Sequence, residues 1–135
     1  MTNYSFIDVD VSNPNMIRRG IAWLSQANEN ETAIMIIPGL TNLDGHITEV
    51  IGREQAKHLR KNKSIQTENN VIIHLATNQS MTQLHENVRI LAIYQKSDML
   101  DKIESQYQNI SSILVIPWLR DDITEWKKTR RAKEY

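Results

Sequence analysis

The sequence predicts a single three-layer α/β domain over residues 1–135, doubly wound, with a mainly parallel sheet of four or five strands (Rossmann-like or flavodoxin-like). Three observations predict it. Short runs rich in Ile and Val recur along the chain. Segments with helical spacing separate them. The chain has 135 residues, 40% hydrophobic and 24% charged, which is the size and make-up of one compact domain with its own core. Nearly continuous apolar runs of strand length mark strands buried on both faces. A helix between successive strands demands crossovers, and crossovers make the sheet parallel.

The elements follow in order. "YSFIDVDV" (Tyr4 to Val11) is a first strand, the least regular, with acids at Asp8 and Asp10. After it, Ile17, Ile21 and Leu24 recur at helical spacing beside Met16, Trp23 and Ala27; Asn13 suits the cap and Pro14 the first turn. "AIMIIPG" (Ala33 to Gly39) is the second strand. From His46, the residues Ile47, Val50, Ile51 and Leu59 form one helical stripe, supported by Glu49 and Arg53 four apart. "VIIHLAT" (Val71 to Thr77) is the third strand, and Asn78 to Asn87 is a short turn of helix or a loop. "RILAIYQ" (Arg89 to Gln95) is the fourth strand. Met99, Leu100, Ile103 and Tyr107 mark a helix after Ser97-Asp98, and "SILVIPW" (Ser112 to Trp118) is the fifth strand. The last helix starts at Asp121-Asp122 and carries Ile123 and Trp126. A cap at Asp122 would place Glu125 at the third helical position, the spacing of a capping box. The basic run Lys127, Lys128, Arg130, Arg131 and Lys133 complements the helix dipole at the other end.

In such a sheet a ligand binds at the carboxyl ends of the strands, near the switch in strand order. Those ends offer Asp8, Asp10, Ser12 and Asn13; Gly39, Thr41, Asn42 and Asp44; Thr77, Asn78, Gln79 and Ser80; Tyr94, Lys96, Ser97 and Asp98; and Trp118, Arg120, Asp121 and Asp122. Of these, Asp8, Asp10, Thr77, Asn78, Ser97 and Trp118 are the candidate ligand-binding residues. Trp118 stands out because it follows Pro117 where side chains leave the core, in reach of a pocket or a partner. The same small polar residues also serve loops and helix caps.

Several chemistries lack support. Neither G-x-G-x-x-G nor G-x-x-x-x-G-K-[ST] is present, and "PGLTNLDG" spaces its two glycines as a loop does. No G-x-S-x-G elbow occurs, and Ser80 with His85 is only a neighbouring pair. Without cysteine there is no disulfide, thiol nucleophile or thiolate metal site. Asp44, His46 and Glu49 suit a solvated helix end better than a metal site, and His74 within a strand suggests a hydrogen-bonded, partly buried ring or an edge strand. No catalytic residue, metal or cofactor is assigned.

Lysine plus arginine equals aspartate plus glutamate, 16 of each, so the net charge is zero. That balance argues against a nucleic-acid binder, which draws its affinity from a basic excess, and it favours self-association. "MTNYSFIDVDV" lacks a basic region leading into an apolar one, and no apolar run approaches ~18 residues. The expectation is a cytoplasmic protein away from membranes.

One constellation resembles the haloacid-dehalogenase-like phosphohydrolases: Asp8-x-Asp10-x-Ser12 ending one strand, Thr77 ending another, Lys96 or Lys102 before the last strand and Asp121-Asp122 after it. The resemblance implies an Asp nucleophile, an Asp acid/base, a phosphate held by Thr and Lys, and Mg²⁺ held by the later acids. It departs from the family where Pro117-Trp118-Leu119-Arg120 intervenes before those acids and where Pro14 leaves little room for an inserted loop. The preferred expectation is a small non-catalytic module that binds a protein partner, a second copy or a small ligand at the strand ends. The alternatives are that Mg²⁺-dependent phosphohydrolase and a nucleic-acid-associated accessory protein using the basic last helix.

Overall fold

The computed structural model describes residues 1–81 and 86–135. Its strands are β1 (Asn3–Phe6), β2 (Thr32–Ile37), β3 (Ser64–Gln66), β4 (Ile72–Thr77), β5 (Asn87–Ile93), β6 (Asn109–Ile116) and β7 (Lys133–Glu134). Its helices are α1 (Pro14–Leu24), α2 (His46–Ile51), α3 (Arg53–Asn62), α4 (Ser97–Gln106) and α5 (Thr124–Arg130), with 3-10 turns at Leu40–Leu43 and Arg120–Ile123. The strands form one sheet in the order β3-β4-β2-β5-β6-β1-β7. Every neighbouring pair is parallel except β3 with β4.

The sheet therefore has seven strands, not four or five. The two extra ones are edge strands, β3 of three residues and β7 of two, too short to carry a hydrophobic period. The first strand exists but stops at Phe6, before the acids of "YSFIDVDV". His74 is exposed, neither partly buried nor on an edge strand: β4 pairs with β2 on one side and with the short edge strand β3 on the other, where Ser64 lies opposite His74.

Alternation along each strand divides the core into two layers. Ala33, Met35, Ile37, Leu91, Ile93, Leu114 and Ile116 pack with Ile17, Leu24, Ile47 and Leu59 of α1, α2 and α3. Ile34, Ile36, Ile90, Ala92, Ile113 and Val115 pack with Leu100 and Ile103 of α4 and Trp126 of α5. The result is helix, sheet, helix. Helix α1 begins as its residues dictate: the Asn13 side chain accepts from the N–H groups of Asn15 and Met16, and Pro14 fills the first turn. It packs tightly on the sheet at Gly20, where an added Cβ would lie 2.6 Å from Ile116 Cδ1 and 2.9 Å from Leu91 Cδ1.

The helix expected from His46 onward is two helices. Gly52, at φ 89°, takes a backbone that side-chain-bearing residues rarely adopt, and the chain breaks there between α2 and α3. The expected Glu49–Arg53 pair straddles that break. The last helix also begins later than expected: the acids lie in the Arg120–Ile123 turn, and α5 starts at Thr124. The expectation of a helical turn or loop at Asn78–Asn87, and the Ser80–His85 pair, fall in part on residues 82–85, outside the described residues.

Candidate functional site

The strand order makes the site. From β2 the chain passes to α2 and α3, on the α1 side of the sheet; from neighbouring β5 it passes to α4, on the opposite side. Connections that part in this way leave a crevice above the carboxyl ends. A cleft of about 400 Å³ lies there, within the range of small-molecule sites. Pro38 and Asn42 line it from beyond β2, Tyr94 and Lys96 from beyond β5, and Trp118, Leu119 and Asp122 from beyond β6. A larger hollow of about 580 Å³ lies on the α4 side, lined by Ser80 and Glu86 on either side of residues 82–85, away from these strand ends.

An aromatic cluster forms one wall of the cleft. Tyr94 has φ 62°, a left-handed conformation unusual for a bulky residue, while its N–H donates to Ile116 O at 2.8 Å. The turn sets its ring perpendicular to Trp118, with centroids 4.9 Å apart. His46 stacks on Trp118 at 6.0 Å and 19°. Trp118 itself is 47% exposed. The buried Ser12 hydroxyl donates to the Tyr94 oxygen at 3.4 Å, and that oxygen lies 3.2 Å from His46 Nδ1. Burial raises the Tyr94 phenol above its ordinary value, partly opposed by the Ser12 bond.

The turns around the cleft close on their own side chains. Asn42 Oδ1 accepts from Gly39 N–H at 2.9 Å, and Asp122 Oδ2 accepts from Leu119 N–H at 3.2 Å. Asn13 does the same for α1. At α5 the cap comes from another helix: Ser97 Oγ accepts from Trp126 N–H at 3.1 Å. These are the donors that a phosphate-binding loop leaves open to its ligand.

Of the six candidate residues, Trp118 alone lines the cleft, and Ser97 sits just behind it as the cap of α5. Asp8 and Asp10 share the rim beside β6 and are held by Arg120. Its Nε and Nη2 reach the two Asp8 oxygens at 2.9 and 3.1 Å, and Nη1 reaches Asp10 at 2.8 Å. Thr77 bonds Ser80 at 2.7 Å, and Asn78 Oδ1 accepts from the buried Gln95 amide at 2.6 Å. The structure does not gather Asp8, Asp10 and Thr77. Three strands lie between β1 and β4, a separation of roughly 19 Å at the usual strand spacing. Among the described residues no group of three His, Asp or Glu is placed to hold a metal ion. Asp44 instead pairs with Arg60, and His46 joins the aromatic wall.

Sequence reasoning did not select Tyr94, His46, Asn42 or Ser12 as site residues, although Tyr94, Asn42 and Ser12 stood on its strand ends. The signal was an aromatic residue directly after the run "RILAI", where a side chain leaves the sheet.

The fold defines an α/β protein with a mainly parallel seven-stranded sheet and a strand-end cleft. The chain matches no family model, no curated protein and no solved structure. Among the described residues no helix is long and apolar enough to cross a membrane.

Proposed function

We propose that the protein is a non-catalytic binding module that takes a small ligand in the strand-end cleft. The observation that carries this reading is the half-exposed Trp118 ring, set against Tyr94 at the crevice where chain connections part. A positioned aromatic surface with a few polar groups around it is what small-molecule sites use. Groups that a reaction would draw on are otherwise engaged. Ser12 is buried beneath Tyr94, His46 Nδ1 faces the Tyr94 hydroxyl, and Asp8 and Asp10 are tied to Arg120.

A screen of small compounds by heteronuclear NMR tests the reading. Binding should move the signals of Asn42, Tyr94, Trp118 and Leu119 together. Trp118 is also a selective fluorescent reporter, because Trp23 and Trp126 are 7% and 1% exposed. A screen in which no compound moves these signals would refute the proposal.

A second reading, self-association, draws on an apolar rim. Val11, Trp118 and Leu119 are 53%, 47% and 44% exposed and are joined by a bridge between Val11 and Leu119. Sedimentation at tens of micromolar decides it: a dimer that Trp118→Ala dissociates would support it, and a monomer would exclude it.

A further inference from the structure

The chemistry around Trp118 goes beyond the presence of a cleft to the class of ligand. The half-exposed indole, with Tyr94 at right angles to it, offers a flat surface beside a wall, which suits a planar ring better than a branched or globular one. The groups around that surface have mixed hydrogen-bonding character. The Asn42 oxygen is occupied by Gly39 N–H, so its amide nitrogen is left to donate. One Asp122 oxygen is occupied by Leu119 N–H, and the other, without a partner among the described residues, is left to accept. Lys96 adds a second donor and makes no ion pair among the described residues. Donors and an acceptor around an aromatic face match the edge of a heteroaromatic base, which alternates acceptors and donors in its plane.

The same rim disfavours phosphate. Its turns spend their N–H groups on Asn13, Asn42 and Asp122. Its acids, Asp8, Asp10, Asp121 and Asp122, outnumber Arg120 and Lys96, and Arg120 is committed to Asp8 and Asp10. A polyanion would meet repulsion and find no cradle. Resting on the binding-module reading, we infer that the cleft is a site for an unphosphorylated heteroaromatic ring of the nucleobase or nucleoside class, stacked on Trp118 and read at its edge by Asn42, Asp122 and Lys96.

The test titrates the full chain with adenosine, guanosine, cytidine and uridine, with the matching 5′-monophosphates, and with phenethylamine as an aromatic cation lacking a base edge. Tryptophan emission and NMR are the readouts. At least one nucleoside should bind saturably and move the Trp118 indole N–H and the Asn42 side-chain amide, and its monophosphate should bind more weakly. Trp118→Leu should abolish the response. Lys96→Met, an exposed position that leaves the turns intact, should weaken binding by about threefold to tenfold, the range of one hydrogen bond. A monophosphate that binds as tightly as its nucleoside would overturn the inference. Phenethylamine in the cleft without any nucleoside would overturn the ligand class and leave the binding module standing. If none of these compounds moves the cleft signals, the nucleobase inference falls, while the binding-module reading is decided by the small-compound screen.

Discussion

Asp122 folds back on Leu119: its carboxylate accepts from the Leu119 N–H at 3.2 Å, and its own N–H donates to the Leu119 carbonyl at 3.0 Å. The acid thus closes the turn that carries Trp118 and Leu119 to the cleft, one element earlier than the helix cap its spacing suggested. Ser97, from α4, caps α5 instead.

Asp122→Ala should therefore cost about 0.5–2 kcal/mol, the range for losing a capping side chain. It should also shift the Trp118 emission, because the turn that seats the ring loosens. Excess Mg²⁺ or Ca²⁺ should leave the melting temperature of the parent unchanged. Urea denaturation and thermal melts check both, and a melting point that rises with metal only while Asp121 is intact would refute the turn-closing account.

Tyr94 leads to a prediction about pH. Its folded phenol titrates above the ordinary value near 10, chiefly through burial. The folded state therefore holds this proton more tightly than the unfolded chain does. The stability this contributes is complete below the unfolded phenol value and is lost as pH rises through the higher folded one. Phenolate absorbance should show a late-titrating group that Tyr94→Phe removes. Ser12→Ala should delay the titration further, since the Ser12 bond favours the phenolate. Tyr107, also raised by burial, should remain as a late group in both variants.

Arg89 anchors the amino-end side of the sheet. Its guanidinium lies 4.0 Å from the Trp23 ring centroid, donates twice to Trp23 O at 3.1 and 2.9 Å, and approaches Glu31 at 3.8 Å. Arg89→Ala should cost about 1–3 kcal/mol, because it removes both donors to the end of α1 and takes the countercharge from a largely buried Glu31, which keeps its hydrogen bonds from Ser111 and Asn28. Arg89→Lys should recover only part of the loss, since an ammonium cannot reproduce the planar fork over the indole. Chemical denaturation of the two variants measures this.

The basic tail divides in the same way. Arg130 donates to Glu104 at 3.0 Å and to Asp101 at 2.8 Å, while Glu104 also accepts the Trp126 indole N–H at 2.8 Å. Arg130→Gln should cost about 1–3 kcal/mol by leaving Glu104 short of a partner in a nearly buried place. Lys128→Gln, at an exposed position, should stay within about 0.5 kcal/mol. Similar losses in the two variants would show that the Arg130 network contributes nothing beyond a solvated charge.

Much of this architecture was legible in the sequence because it rests on local rules. The Ile- and Val-rich runs between Ala33 and Ile116 had to be strands, and helices between them had to make the sheet parallel; burial on both faces fails at β4, where Ile72 and His74 are exposed because only the three-residue β3 lies beyond it. Asn13-Pro14 had to start a helix, and Trp118, just past an oily run, had to leave the core at a strand end. What periodicity could not register were β3 and β7, which at three and two residues have no period, and the break at Gly52, which rests on one backbone angle. The composition of the site was decided only by the tertiary structure. Ser12, His46, Tyr94 and Trp118 meet because β2, β5, β6 and β1 are consecutive in the sheet, while Thr77 is carried away on β4. Strand order follows from how helix and sheet faces pack across the whole chain, so residues 82 apart, such as Ser12 and Tyr94, come into contact with no mark of it in either neighbourhood.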